Sequence, residues 1–229
     1  MREIEISPGI AAHASGALFV RQLRTLLVAD VHMGYGWAQR RRGQLGPVQD
    51  AGVHEKLQAL IRELSPKVLV FLGDVVHAPN PSPGERKMVE QTLTALAPLV
   101  EIVVVRGNHD RAFARDYGNL GLHLAESWQG AGLIAMHGDR LPNGQLADRL
   151  VIGHLHPAFA VRDDAGHTRR IPAFLVGKDA CVLPAFSPLA AGFDVSEGLP
   201  LEIKALCGNG GITVIVATGK RVVKLPTRL

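Results

Sequence analysis

Unbroken apolar runs alternate with short polar stretches along the chain, and five of those runs end in the same way. Val68-Leu69-Val70-Phe71-Leu72 stops at Gly73-Asp74. Leu26-Leu27-Val28-Ala29 runs into Asp30-Val31-His32, and Ile102-Val103-Val104-Val105 runs through Arg106 into Gly107-Asn108-His109-Asp110. Leu133-Ile134-Ala135-Met136 ends in His137-Gly138-Asp139, and Leu150-Val151-Ile152 ends in Gly153-His154-Leu155-His156. An apolar run without polar alternation predicts a strand buried on both faces, as in a parallel sheet covered by helices. In such sheets chemistry gathers at the carboxyl ends of strands. The sites named by position are therefore these polar stretches, with Asp74 as the pivot.

Between the runs the period changes. Pro47 opens a helical pattern with Val48, Ala51, Leu57, Leu60, Ile61 and Leu64 on one face, closed by Ser65-Pro66, which gives a strand-helix-strand unit. A proline-rich loop over 78–84 follows Asp74. A second helix is predicted from Glu85 to Ala97, stopped by Pro98. Beyond Asp110 the chain reads as short strands with polar turns. Leu201 to Leu206 and Ile212 to Val216 read as two further runs before a last strand, Arg221 to Lys224. In His154-Leu155-His156, side chains two apart on a strand face the same way, so both imidazoles are presented on one side of the segment.

The 229 residues, 47% of them hydrophobic, suffice for a sizeable core and are read as one α/β domain over 1–229. No apolar run is clean enough to span a bilayer, and the start alternates charge with isoleucine as a strand does. A soluble cytoplasmic protein with no membrane partner is expected. Cys181 and Cys207 have neither zinc nor redox spacing and are expected to be packed, inert thiols. A net charge of +4 and a pI near 9.3 lean only mildly towards a polyanionic partner. Its distribution is more telling, because Tyr35, Trp37 and the run Arg40-Arg41-Arg42 follow the first ligand pair. Read as a loop, this stretch offers phosphate contacts and an aromatic stacking surface; read structurally, it is a solvated helix start.

Taken together, Asp30-x-His32, Gly73-Asp74, Gly107-Asn108-His109-Asp110, His137 and Gly153-His154-x-His156 resemble the five motifs of the calcineurin-like metallophosphoesterases. The match covers about residues 25 to 160. The resemblance implies a four-layer α/β/β/α sandwich of two mixed sheets flanked by helices. It also implies two divalent cations roughly 3.5 to 4 Å apart, which stabilise the attacking and leaving oxygens of an in-line displacement at phosphorus. Carried onto these positions, Asp30, His32, Asp74 and His156 hold one ion, and Asp74, Asn108, His137 and His154 hold the other. A bridging hydroxide is then the nucleophile. His109 assists the leaving oxygen, and Asp110 fixes its tautomer. The oxygen and nitrogen donors suit manganese, iron or zinc, and the resemblance favours manganese.

Many relatives carry an acidic residue three positions after the bridging aspartate, where this chain has His77. With the short chain and the Asp30-Val31-His32-Met33-Gly34 opening, this resembles the bacterial ligase-associated DNA-damage-response endonucleases. That resemblance implies a DNA substrate, single-stranded or flapped, with a DNA ligase and a helicase as partners. For His77 three roles stand open, contact with substrate phosphate, contact with a metal-bound water, or packing, and substrate contact ranks slightly first. Small-molecule phosphodiesterase or phosphomonoesterase activity is the alternative. A non-catalytic scaffold would have lost ligands, and every expected position is filled.

Overall fold

In this computed structural model the described residues are 1–44, 50–142, 146–190, 192–208 and 210–228. The helix start expected at Pro47 and Val48 lies outside them. The first sheet runs β1 (Glu3–Ser7), β2 (Ile10–His13), β3 (Leu18–Val20), β4 (Thr25–Ala29), β5 (Val68–Leu72), β6 (Glu101–Val105) and β7 (His123–Ala125), in that spatial order. Its first four strands are antiparallel to one another, and β4 to β7 are parallel.

The second sheet is built from β8 (Trp128–Gly130), β9 (Leu133–Met136), β10 (Arg149–Ile152), β11 (Pro157–Arg162), β12 (Thr168–Val176), β13 (Ala180–Val182), β14 (Phe193–Asp194), β15 (Thr213–Ala217) and β16 (Val222–Arg228). Their order is β14-β11-β12-β13-β10-β9-β8, with β15 also pairing with β12 and carrying β16. The helices are α1 (Tyr35–Arg41), α2 (Asp50–Leu64), α3 (Pro83–Leu96), α4 (Phe113–Tyr117) and α5 (Leu201–Cys207). None of the described helices is long and apolar enough to cross a membrane.

The unbroken apolar runs have a direct physical cause in this layering. Alternate residues of a strand face opposite ways. Leu26 and Val28 of β4, Leu69 and Phe71 of β5, and Ile102 and Val104 of β6 join a core with Leu57, Leu60 and Ile61 of α2 and Val89, Leu93 and Leu96 of α3. The residues between them, Leu27, Ala29, Val70, Leu72, Val103 and Val105, join a second core with Ala135, Val151, Phe174, Cys181 and Ile215 of the other sheet. The outer face of that sheet, including Leu150, Ile152, Leu175 and Val214, is covered by Ile203 and Cys207 of α5. The layers are therefore α/β/β/α. Phe71 is fully buried, and its replacement by alanine is expected to cost about 3–5 kcal/mol.

Two expectations need correction. Tyr35 to Arg41 is not a loop but the helix α1, started at Gly34 and ended at Arg42. Leu201 to Leu206 is not a strand but most of α5, placed between Pro200 and Gly208. The alternation Leu201-Glu202-Ile203-Lys204 mimics a strand, but Ile203 and Cys207, four apart, form the buried face while Leu201 is 79% exposed. The helix α3 begins as predicted near Glu85 because Ser82 and Glu85 form a reciprocal capping box with Pro83 in the first turn.

Candidate metal centre

The five polar stretches converge where the two sheets meet. Strands β4, β5 and β6 are parallel and in register, so Asp30, Asp74 and Asn108 leave the first sheet at one end. Strands β9 and β10 are also parallel and in register, and deliver His137 and His154 from the other. The segment after β13 ties the layers together: Phe186 N–H donates to the Ala29 carbonyl (2.8 Å) and Ser187 N–H to the Asp30 carbonyl (3.2 Å).

Three groups of side chains bring ligand atoms within 4.8 Å of one another: Asp30, His32 and His156; Asp74, His137 and His154; and His32, His77 and His109. Nε2 of His32 lies 3.4 Å from Nε2 of His156 and 3.8 Å from Oδ2 of Asp74. Nε2 of His137 lies 3.0 Å from Oδ1 of Asn108, 3.1 Å from Nδ1 of His154 and 3.4 Å from Oδ1 of Asp74. Asp74 thus turns one oxygen towards each group. Imidazole nitrogens that face each other and nearby carboxylate oxygens are arranged as donors to common points, and they fit divalent cations of the manganese, iron or zinc type. Asn108 joins the second group through its amide oxygen.

The supporting contacts orient these donors. Nδ1–H of His137 donates to the Leu72 carbonyl (3.1 Å), which leaves Nε2 as the free donor. Oδ2 of Asp30 accepts the N–H of His154 (2.8 Å), and Oδ1 of Asp74 accepts the N–H of His109 (2.9 Å). Each carboxylate thereby holds a turn of the chain as well as facing the centre.

The backbone is strained where the donors sit. Eight non-glycine residues have positive φ among the described residues, and five of them are Asp30, His32, Asp74, His154 and His156. Each such placement costs roughly 1–2 kcal/mol. The assumption that His154 and His156 share a strand face is therefore wrong. Both lie in the turn between β10 and β11 at φ 63° and 47°, and the left-handed turn, not strand alternation, sends them into different groups. Gly73 (φ 70°) and Gly107 are needed for space: a Cβ on the first would stand 2.4 Å from Nδ1 of His137, and on the second 2.4 Å from Oδ1 of Asp74.

Burial governs protonation here. It lowers the His32 pKa to about 2, helped by the imidazoles of His156, His109 and His77. Burial also lowers His154, with His137 adding to the effect. For His156 burial works downwards too, but the Asp30 carboxylate outweighs it and raises the group. Burial raises Asp74, opposed by His137. Neutral imidazoles with free lone pairs are the form a cation takes up.

His109 has a different partner from the one expected. Its Nδ1–H donates to the carbonyl of His77 at 2.5 Å. Asp110 instead accepts the N–H of Val76 (3.2 Å) and of Gly107 (3.1 Å). Burial pushes the Asp110 carboxyl up to about 7, against those two donors. Asp110 braces the two ligand loops and does not set the His109 tautomer. No sequence signal marks a backbone carbonyl as the orienting group.

His77 packs its ring 4.5 Å from Tyr35, 5.4 Å from His32 and 5.8 Å from His109. Burial and His109 lower its pKa to about 4. It lines a cavity of about 480 Å³ with His109, Asn80, Arg41 and Arg42. Arg41 is tied to Glu85 (3.3 Å), whereas Arg40, exposed like both of the other arginines, is not among the residues around that cavity. Trp37 faces Gly84 at the start of α3, close enough that a Cβ there would meet its ring at 2.9 Å. It packs α1 onto α3, while Tyr35 reaches the site.

The calcineurin-like phosphoesterase family model matches residues 23–217, and the chain belongs to that family. The match runs well past residue 160, because β12, β13 and β15 complete the second sheet. Among solved structures the chain is similar to the Pseudomonas putida nuclease MPE, 25% identical over 97% of this chain and 98% of that one, with a TM-score of 0.72. It also matches Yfce, a phosphoesterase from E. coli, at 18% identity over 88% of this chain and 97% of that one, with a TM-score of 0.44. None of the curated protein sequences matches it.

Proposed function

We propose that this member of the family is a two-metal phosphodiesterase that cleaves DNA, single-stranded or flapped, with manganese as the working ion. The observation that carries the reading is the pair of donor groups linked by Asp74, with His109 beside them and a cavity lined by Arg41 and Arg42 opening at His109. The likeness to a nuclease over nearly the whole of both chains supports a nucleic acid as the substrate.

Asp30, His32 and His156 with Asp74, His137, His154 and Asn108 would hold two divalent cations, and these would supply Lewis acidity and an activated water for attack at phosphorus. The chain does the rest. Anchoring Nδ1–H of His109 on the His77 carbonyl leaves Nε2, 3.9 Å from Oδ2 of Asp74, as the atom that gains and loses a proton. The protonated ring can pass that proton to the leaving oxygen. Arg42, and His77 at the cavity wall, hold the phosphate backbone, and contacts of this kind weaken steeply with salt.

The test is hydrolysis by metal-stripped protein re-loaded with Mn²⁺, on single-stranded and supercoiled DNA and on bis-p-nitrophenyl phosphate, with His109→Ala alongside. DNA cleavage that needs both manganese and His109 is the expected result. Turnover of the small ester without DNA cleavage would assign a small-molecule phosphoesterase instead. A DNA ligase and a helicase are the proposed partners, and co-purification at low salt tests them.

A further inference from the structure

A second cavity, of about 600 Å³, reaches the donor groups through His156. It is bounded by α2, β11, β12, the segment 185–190, Gly192 and the segment 217–219. The rings of His156 and His109 both pack edge-on against His32, at 5.2 and 5.3 Å. The two cavities therefore reach the same centre through different histidines. A small ester needs one such approach, but a polymer passing through needs two.

The walls of the second cavity carry Lys56, Arg169 and Arg170. Arg170 shares a strand face with Pro172 and Phe174, and Phe174 belongs to the core between the sheets. Its Nη1 donates to the Gly192 carbonyl at 3.2 Å. Nζ of Lys56 donates to the Phe186 carbonyl at 2.9 Å and stands 3.6 Å from the centre of that ring. None of the three is in an ion pair among the described residues, unlike Arg41 with Glu85, Arg106 with Glu126 and Arg115 with Asp116. One carboxylate, Asp163, also lines the cavity and is engaged by the N–H of His167 (2.8 Å). Asp194, which Arg170 attracts, stands outside the lining, and three cations outside any ion pair against one lining carboxylate fit a phosphate backbone.

We infer that this groove binds the sugar-phosphate backbone of a nucleic-acid strand beside the phosphate being cut, with Lys56, Arg169 and Arg170 as its phosphate contacts. The inference rests on the nuclease reading and adds a track to it. The strand runs from the cavity at His109, across the donor groups, to the groove at His156.

The test uses the full chain with the double substitution Arg169→Ala and Arg170→Ala, and Arg162→Ala on the same hairpin as the control. Fluorescence anisotropy with a labelled single strand, over a range of salt, reads binding without turnover. Loss of two phosphate contacts should weaken binding about tenfold or more and make the log-log salt slope shallower by about 1.4, the single-strand coefficient being roughly 0.7 per contact. The ratio of DNA cleavage to bis-p-nitrophenyl phosphate cleavage should fall with it, and Arg162→Ala should match the unaltered protein. A double variant with the unaltered protein's affinity and salt slope would overturn the track. Failure of the nuclease reading shows separately in the unaltered protein, which would hydrolyse the ester while neither binding nor cutting DNA; that outcome overturns both.

Discussion

The ends of β4, β5 and β6 bring Asp30, Asp74 and Asn108 to the centre, along with His32, whereas the ends of β9 and β10 bring only imidazoles, from His137, His154 and His156. The oxygen donors thus come from one sheet and half or more of the nitrogen donors from the other. The first sheet also orients the second sheet's ligands. The Leu72 carbonyl in β5 sets the ring of His137, and the Asp30 carboxylate holds the turn that carries His154. Neither sheet alone can complete either of the two groups that meet at Asp74, so that pair forms only when the core between the sheets closes. This is the physical reason why the left-handed strain at five ligand positions persists: packing of both layers over-determines it.

The comparison gives its largest predicted effect at Asp74, the residue that faces both groups. Asp74→Asn should lower metal content, read by elemental analysis, and cut phosphodiester hydrolysis at least a thousandfold, roughly 4 kcal/mol of barrier. In metal-free protein the same change should leave the melting temperature unchanged or raise it. The sign follows from burial, which raises the Asp74 pKa: the charged carboxylate opposes folding above that raised value, and the cost is relieved as the pH falls through it. A lower melting temperature for the metal-free variant would show that the carboxylate holds the sheets together by itself, and the division of labour between sheets would break.

The next effect separates His109 from the donor groups. His109→Ala should keep its metal while DNA cleavage falls about 10²- to 10⁴-fold. The loss on bis-p-nitrophenyl phosphate should be smaller, because p-nitrophenolate departs without a proton. Metal lost in proportion to activity would instead make His32, His77 and His109 a third donor group in use.

Much of this was readable in the runs themselves. Val68 to Leu72 is apolar on both faces because one face meets α2 and α3 and the other meets the second sheet, and the stretch that ends such a run is at the site by topology. What was not readable lies in the backbone. The turn at His154 and His156, the His77 carbonyl that anchors His109, and the brace at Asp110 depend on torsions and main-chain atoms that side-chain spacing does not encode. Short elements misled for a related reason. Leu201 to Cys207 spans too few residues for strand and helix periods to diverge, and only packing against β13 and its neighbours decides between them. Lys56 is far in sequence from the adjacent Arg169 and Arg170, and the fold alone brings it to them.

A smaller effect is expected at Asp110, whose two oxygens each accept one backbone N–H. An amide has only one accepting oxygen, so Asp110→Asn sets its N–H₂ against one of those donors. Urea unfolding of the metal-free protein should show about 1–3 kcal/mol of lost stability. The shape of the pH–rate profile should stay that of the unaltered protein. A variant of full stability whose activity resembles His109→Ala would restore the tautomer role to Asp110.

The smallest effect sharpens the comparison by supplying a histidine that the first sheet buries for another purpose. His13 at the end of β2 is fully buried, with Nδ1 at 2.8 Å from Oγ of Ser15 and Nε2 at 3.5 Å from Oε1 of Glu63. His13→Gln should leave metal content and turnover unchanged and cost about 1 kcal/mol of stability near neutral pH. Burial lowers its pKa from the ordinary value of 6.5, against the pull of Glu63. The unfolded chain therefore takes up this proton first, and the contribution of His13 is complete above about 6.5 and declines as the pH falls below it. Urea unfolding on both sides of that value should show the gap between unaltered and substituted protein narrowing in acid. A constant gap would mean that His13 is held by its contacts with no cost to its charged form, and loss of metal would place it in the centre that its geometry keeps it out of.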